Sequence, residues 1–226
     1  MKIILESLDK WYNKGQANEV HALKEIDLRV AESKVVCIKG PSGSGKSTLL
    51  SIIGCLFAPT SGLALIDGTK LSRLPDRFLT LHRRTKIGFI FQRFQLIPEL
   101  SVLENVTLPL LPLGIPPDQR QSRAEELLDR LGISHRKRFP AGQISGGELQ
   151  RTAIARALIN DPPIILADEP TAHLDTRLSL AFMEIMAELR ASGKTIVITS
   201  HDPLVYRHDL IDRCLSMRDG RLVETG

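Results

Sequence analysis

Short apolar runs alternate with longer stretches of helical periodicity along most of the 226 residues. The runs KIILES (2–7), IDLRV (26–30), KVVCIK (34–39), LALID (63–67), KIGFIF (86–91), IILAD (164–168), TIVITS (195–200) and CLSMR (214–218) predict strands. Helices are predicted to follow Gly45, Pro75, Ser101, Pro117, Gly147 and Asp175. Buried strands separated by helices point to an α/β domain with a largely parallel core sheet. Two stretches break that alternation. Over 1–35 and 62–91 the strands follow one another closely, with turn signals such as PTSG and DG, and predict an antiparallel β patch appended to the core. Residues 97–158 carry no strand pattern. There SRAEELLDRLGI sets Ala124, Leu127, Leu128 and Leu131 on one helical stripe. The expected organisation is a single domain: core and β patch over 1–96 and 159–226, with a helical subdomain inserted at 97–158. The last strands lie close to the end of the chain, so no C-terminal regulatory domain is expected.

Composition narrows the class without choosing it. Hydrophobic residues at 42% and charged residues at 25% are ordinary for a globular chain. The longest apolar runs fall far short of the ~20 residues a membrane-spanning helix needs. The N-terminus MKIILESLDKW reads as a first strand rather than a signal peptide. Three cysteines, odd in number and widely spaced, read as buried free thiols of a reducing cytosol. The net charge is +4, with basic clusters at LHRRTK (81–86) and SHRKR (134–138). Those clusters have two readings, a solvated surface or contact with a membrane-associated partner or acidic lipid. Aromatics at 4% do not interleave with them, which argues against nucleic acid.

Chemistry enters at KVVCIKGPSGSGKSTLL, where a buried strand runs through a glycine-rich loop into a helix. The loop Gly40, Pro41, Ser42, Gly43, Ser44, Gly45, Lys46, Ser47, Thr48 fits the spacing G-x-x-x-x-G-K-[ST]. Glycines here let backbone N–H groups turn inward around phosphate oxygens, and the following helix adds its N-terminal dipole. Lys46 is expected to reach the β and γ phosphates and the Ser47 hydroxyl to ligate Mg²⁺. The motif alone does not separate an ATPase from a GTPase or a small-molecule kinase.

A second feature favours hydrolysis. The strand of PPIILADEPT ends in Asp168 and Glu169, at the carboxyl edge where open α/β sheets bind ligands. Asp168 is a candidate Mg²⁺ ligand, directly or through water. Glu169 is a candidate general base for an attacking water, which a kinase would not need. Taken alone, the pair would read as two solvated acids; the phosphate loop upstream gives them a purpose.

With these pieces in place the chain resembles the ATP-binding subunits of ABC transporters over its whole length. The matching segments, in order, are GPSGSGKST, the glutamine of FIFQ, the signature ISGGELQR, the strand IILADE, the segment TAHLD and the histidine of ITSHD. The resemblance implies a P-loop NTPase fold with a RecA-like parallel core sheet. It implies ATP and Mg²⁺ as cofactors, and head-to-tail pairing of two such subunits, with a homodimer as the default. Each ATP would lie between the phosphate loop of one chain and Ser145, Gly146 and Gly147 of the other. Gln92 would join the Mg²⁺ site to membrane subunits, His201 would contact the γ-phosphate, and Asp175 would lie at the dimer interface. Tyr12, in LDKWYNKG, falls where the family stacks an aromatic on adenine; Trp11 is the rival, and ordinary core packing is the alternative for both.

The stretches IGFIFQRFQLIPELSVLENVTLPL, ALKEIDL and IIGCLFAPTSG are similar to the subfamily of lipoprotein-release and macrolide-export ATPases. That narrower resemblance implies integral membrane permease partners, a place on the cytoplasmic face of the inner membrane, and export or extraction of lipoprotein, macrolide or peptide. The cell-division relatives leave signalling through a membrane partner as the alternative. Residues 93–105 are the expected grip for that partner. The signature departs from the commonest pattern at Ile144 and Glu148, and TAHLD departs at His173. Ser145 and Glu148 fit the S-x-x-E capping box, so Glu148 is expected to fold back on the Ser145 N–H.

Overall fold

The computed structural model describes residues 1–72, 74–172 and 174–224; His173, one of the departures noted above, lies outside them. In chain order the elements are β1 (Ile3–Tyr12), β2 (Val20–Val30), β3 (Val35–Lys39), α1 (Lys46–Ile53), β4 (Ser61–Ile66), β5 (Thr69–Lys70), α2 (Asp76–Lys86), β6 (Ile87–Ile90), α3 (Val102–Thr107) and α4 (Pro117–Arg130). They continue as α5 (Gly146–Leu158), β7 (Ile164–Asp168), α6 (Thr176–Ala191), β8 (Thr195–Thr199), α7 (Pro203–Tyr206), β9 (Arg213–Arg218) and β10 (Arg221–Glu224).

The strands form two sheets. One is antiparallel, in the order β2-β1-β4-β5. The other has the order β10-β9-β3-β8-β7-β6, parallel throughout except for the β9–β10 hairpin. All eight expected strands are present, and so are the six expected helices, with α4 starting one residue and α5 two residues earlier than their patterns suggested.

The apolar runs of the core sheet serve two faces at once. Val35, Cys37, Ile165, Ala167, Ile196 and Ile198 pack on one side with α3, α4, α5 and α6. Their neighbours Val36, Ile38, Ile164, Leu166 and Val197 pack on the other, with α1 and the antiparallel sheet. This is the two-residue period of a strand covered on both sides. In α4 the predicted stripe is the buried one: Ala124 and Leu128 are fully buried, Leu131 nearly so, and Leu127 packs against the same cluster.

Two hairpins turn on Asp-Gly pairs, the first of them a DG signal noted in the sequence. Asp67-Gly68 joins β4 to β5 and Asp219-Gly220 joins β9 to β10, each with φ positive at both residues, the backbone that a two-residue hairpin turn favours. The second of these turns sets the floor of the site. The Gly220 N–H donates to the Ser44 carbonyl at 3.0 Å, and the Gly220 carbonyl accepts from the Lys24 N–H at 2.8 Å, tying both sheets to the phosphate loop.

The basic runs are partly structural. Arg83 donates to the Cys55 carbonyl and to Thr80, and Lys86 pairs with Asp67 at 3.1 Å. Arg136 pairs with Glu148 at 2.8 Å and Lys137 with Glu125 at 2.9 Å. Cys37 and Cys55 are the buried thiols expected, and burial pushes Cys55 up to about 12. Cys214 is only half-buried and stands opposite Cys37 in the β3–β9 register, a correction to the expectation for all three.

Candidate functional site

The phosphate loop links the end of β3 to α1 at the carboxyl edge of the core sheet. Gly43 and Gly45 have φ of 77° and 108°, which a residue with a Cβ adopts only under strain. The loop borders a cleft of about 820 Å³. Its wall includes every residue from Pro41 to Thr48, together with Tyr12, Gln92, Glu169 and His201. Gly40 lies just behind the wall, with its carbonyl accepting from Lys46.

Lys46 and Glu169 form the centre of the cleft. The Lys46 ammonium donates to the carbonyls of Gly40 (2.7 Å) and Pro41 (3.0 Å) and pairs with Glu169 Oε1 at 3.2 Å. Both side chains are less than one-tenth exposed, so each charge depends on the other. The second carboxylate oxygen of Glu169 accepts from the His201 backbone N–H at 3.2 Å and lies 2.8 Å from the His201 ring Nδ1. Glu169 has φ of 45°, a left-handed backbone outside glycine, which favours a functional constraint over packing convenience.

A residue that sequence reasoning missed holds the acidic pair in place. The Thr199 hydroxyl donates to Asp168 Oδ1 at 2.7 Å, and Thr199 Oγ1 accepts from the Glu169 N–H at 3.1 Å. The parallel register pairs Asp168 with Thr199, so the contact comes from the neighbouring strand and leaves no local mark in TIVITS. Asp168 stands beside the cleft without lining it. Val20, His21, Ala22, Lys24, Asp219 and Gly220 do line it, and none was singled out from the sequence.

Between the rival aromatics, Tyr12 lines the cleft, edge-on to Phe57. Trp11 stacks on His21 at 3.8 Å between ring centroids and is not part of the wall. The remaining expected residues gather elsewhere. Ser145 caps α5, and the Glu148 carboxylate accepts from both the Ser145 N–H and its hydroxyl at 2.8 Å, the fold-back expected of it. The Arg136 guanidinium and the Ser145 N–H hold the Glu148 carboxyl down to about 2. Asp175 caps α6, accepting from the Leu178 N–H at 2.8 Å. Leu178 also lies against Gly147, so the starts of α5 and α6 share one edge. Neither edge residue lines the phosphate cleft.

The cleft suits a nucleoside triphosphate with its metal ion. The Ser44 hydroxyl is buried with no hydrogen-bond partner among the described residues, a donor suited to a phosphate oxygen. The Ser47 hydroxyl and the Gln92 amide on the wall, with Asp168 beside it, are all oxygen donors, the set Mg²⁺ prefers.

Comparison with known proteins agrees with this geometry. Residues 23–172 match the family described as ABC transporter, and the chain belongs to that family as an ATP-binding cassette. It is 46% identical, across 98% of its length and 94% of the relative, to an uncharacterised ABC transporter ATP-binding protein of Thermotoga maritima. It is 43% identical to a macrolide export ATP-binding/permease protein of Paracoccus denitrificans, matching 98% of this chain but only 33% of that longer one. A solved dimeric bacterial ABC transporter cassette superposes with a TM-score of 0.89 at 43% identity, covering 99% of both chains. The same cassette, solved as a dimer after hydrolysis with ADP and phosphate bound, gives a TM-score of 0.89 at 42% identity. Binding of ATP with Mg²⁺ is a general property of this family. Among the described residues no helix is long and apolar enough to cross a membrane.

Proposed function

We propose that this chain hydrolyses ATP as one half of a head-to-tail pair and that hydrolysis drives export through separate membrane subunits. The observation that carries the reading is Glu169, buried on the cleft wall and gripped by Lys46 on one oxygen and His201 on the other. A carboxylate fixed in that way, next to a phosphate loop, suits a general base acting on water. Lys46 and the loop N–H groups bind the phosphate oxygens, and Tyr12 stacks on the base. His201 keeps the Glu169 carboxylate oriented and contacts the γ-phosphate. Mg²⁺, held by Ser47, Gln92 and, through water, Asp168, would offset the charge that builds on the phosphates.

The second wall of each site would come from Ser145, Gly146 and Gly147 of the other subunit, with Asp175 at the interface. In support, these residues share one edge apart from the cleft, and a cassette 43% identical to this one was solved as a dimer. The export reading draws on the macrolide export relative, in which cassette and permease lie in one chain three times as long as the match. Lipoprotein, macrolide or peptide is the cargo class this favours. The grip for the membrane subunits is placed on residues 93–105, where Ile97 is exposed.

The test is Mg²⁺-dependent ATP hydrolysis by the purified chain and by Glu169→Gln. The variant should retain ATP binding while turnover falls by roughly 10²–10⁴-fold, the usual contribution of a general base. A near-normal rate in Glu169→Gln rejects the assignment. Recovery of a membrane protein that stimulates the ATPase, followed by transport assays with that protein in vesicles, tests the coupling.

A further inference from the structure

The segment just past Gln92 has no regular secondary structure and is largely exposed, yet two helices hold it. The Phe94 N–H donates to the Phe91 carbonyl at 3.0 Å, closing a turn that contains Gln92. The Gln95 N–H then donates to the Arg93 carbonyl at 2.5 Å, a tighter turn around Phe94. Phe94 and Gln95 have φ of 57° and 53°. Two consecutive residues with side chains in the left-handed region persist only when their surroundings hold them there.

Arg156 on α5 supplies that hold. Its guanidinium donates one N–H to the Phe94 carbonyl and another to the Gln95 carbonyl, each at 2.5 Å. Further on, the buried Asn105 of α3 donates to the carbonyls of Ile97, Leu100 and Ser101 and accepts from the Ile97 N–H. Arg156 lies on the same helix whose first turn presents Gly146 and Gly147. Gln92 on the cleft wall and the exposed start of α5 are therefore joined inside one chain by a two-pronged clamp.

We propose that Arg156 is a positioning residue: by pinning Phe94 and Gln95 it fixes the backbone that carries Gln92 relative to α5. This rests on reading Gln92 as part of the nucleotide site. The planar guanidinium fork suits two neighbouring carbonyls, whereas a lysine ammonium is a point charge on a flexible stem. Arg156 itself touches no nucleotide, and its effect passes through the backbone of residues 93–95.

The experiment compares Arg156→Lys, Gln92→Ala and the double variant in the full chain. Arg156→Lys should lower kcat on the order of tenfold, a cost typical of slight misplacement, with KM for ATP held within about twofold. The double variant should fall no further than the worse single one, because both lesions act through Gln92. Losses that multiply, or a raised KM with unchanged kcat, overturn the proposal. Hydrogen exchange read on the same proteins should show faster exchange at residues 93–97 in Arg156→Lys, with α5 unchanged. Unchanged exchange at 93–97 also overturns it. If Gln92→Ala is silent while exchange at 93–97 rises, the clamp stands and only the role given to Gln92 fails.

Discussion

Two glycine-bearing helix starts, at α1 and α5, look alike in sequence and are built for different purposes. At α1 the loop closes on itself: Gly43 and Gly45 turn its backbone into the left-handed region, and Lys46 is buried against the loop carbonyls and Glu169. At α5 neither glycine has a positive φ, and Ser145 is a conventional N-cap. A Cβ at Gly146 would meet nothing within 4 Å, whereas one at Gly147 would lie 2.8 Å from the Leu178 side chain. One glycine therefore keeps a surface bare and the other lets α6 approach. Under the proposed pairing each start is half of a site, the phosphate loop of one chain facing the α5 end of the other.

The largest difference should appear between Lys46→Ala and Ser145→Arg. Lys46→Ala removes the partner of a buried carboxylate, so it should cost about 3 kcal/mol of stability as well as ATP affinity, read by urea unfolding and nucleotide titration. Ser145→Arg should leave ATP affinity of the monomer unchanged and abolish turnover. Equal loss of monomer affinity in both would mean that the α5 end belongs to its own chain's site.

A smaller pair of substitutions sharpens the same contrast. Gly45→Ala forces a side chain into φ 108° and against the Ala22 carbonyl at 2.8 Å, with a backbone cost of about 1–2 kcal/mol. Gly146→Ala should instead raise monomer stability by roughly 0.5–1 kcal/mol, since alanine suits a helix better, while ATPase activity falls. Thermal unfolding beside turnover checks both signs. If Gly146→Ala keeps full activity, the bare surface has no ligand.

Much of this contrast was legible in the sequence. The phosphate loop, the acidic strand end and the signature announce themselves because their chemistry depends on residues close together in the chain. Thr199 could not be found that way, because its hydroxyl meets Asp168 and Glu169 only through the β7–β8 register. His21 and Lys24 were missed because the polar start of β2 carries no apolar alternation, although it lines the cleft. The paired glycines of ISGGELQR invited one explanation, and α6 packing divides them into two. The four residues of β10 were too short to announce a strand, yet the turn before them braces the phosphate loop.

An effect of similar size concerns Glu148, which fastens the α5 end. Glu148→Ala should cost about 1 kcal/mol as a lost helix cap. Its carboxyl lies near 2 in the folded chain against 4.5 for an unperturbed glutamate. A lowered folded-state value gives stability that is fully present above pH 4.5 and lost as pH falls through about 2. Acid unfolding of wild type and Glu148→Ala should therefore converge toward the bottom of that range. A gap between the two proteins that persists there would mean that the carboxylate's charge is not what matters.

The central claim is that each nucleotide needs the phosphate loop of one chain and the α5 glycine end of the other. It is tested most directly by the mass of Glu169→Gln, with and without Ser145→Arg, measured by light scattering in saturating ATP. Glu169→Gln should accumulate as an ATP-bound dimer, and Glu169→Gln/Ser145→Arg should bind ATP equally well yet remain monomeric. A double variant that still dimerises in ATP, or that loses ATP as a monomer, would contradict the two-chain site.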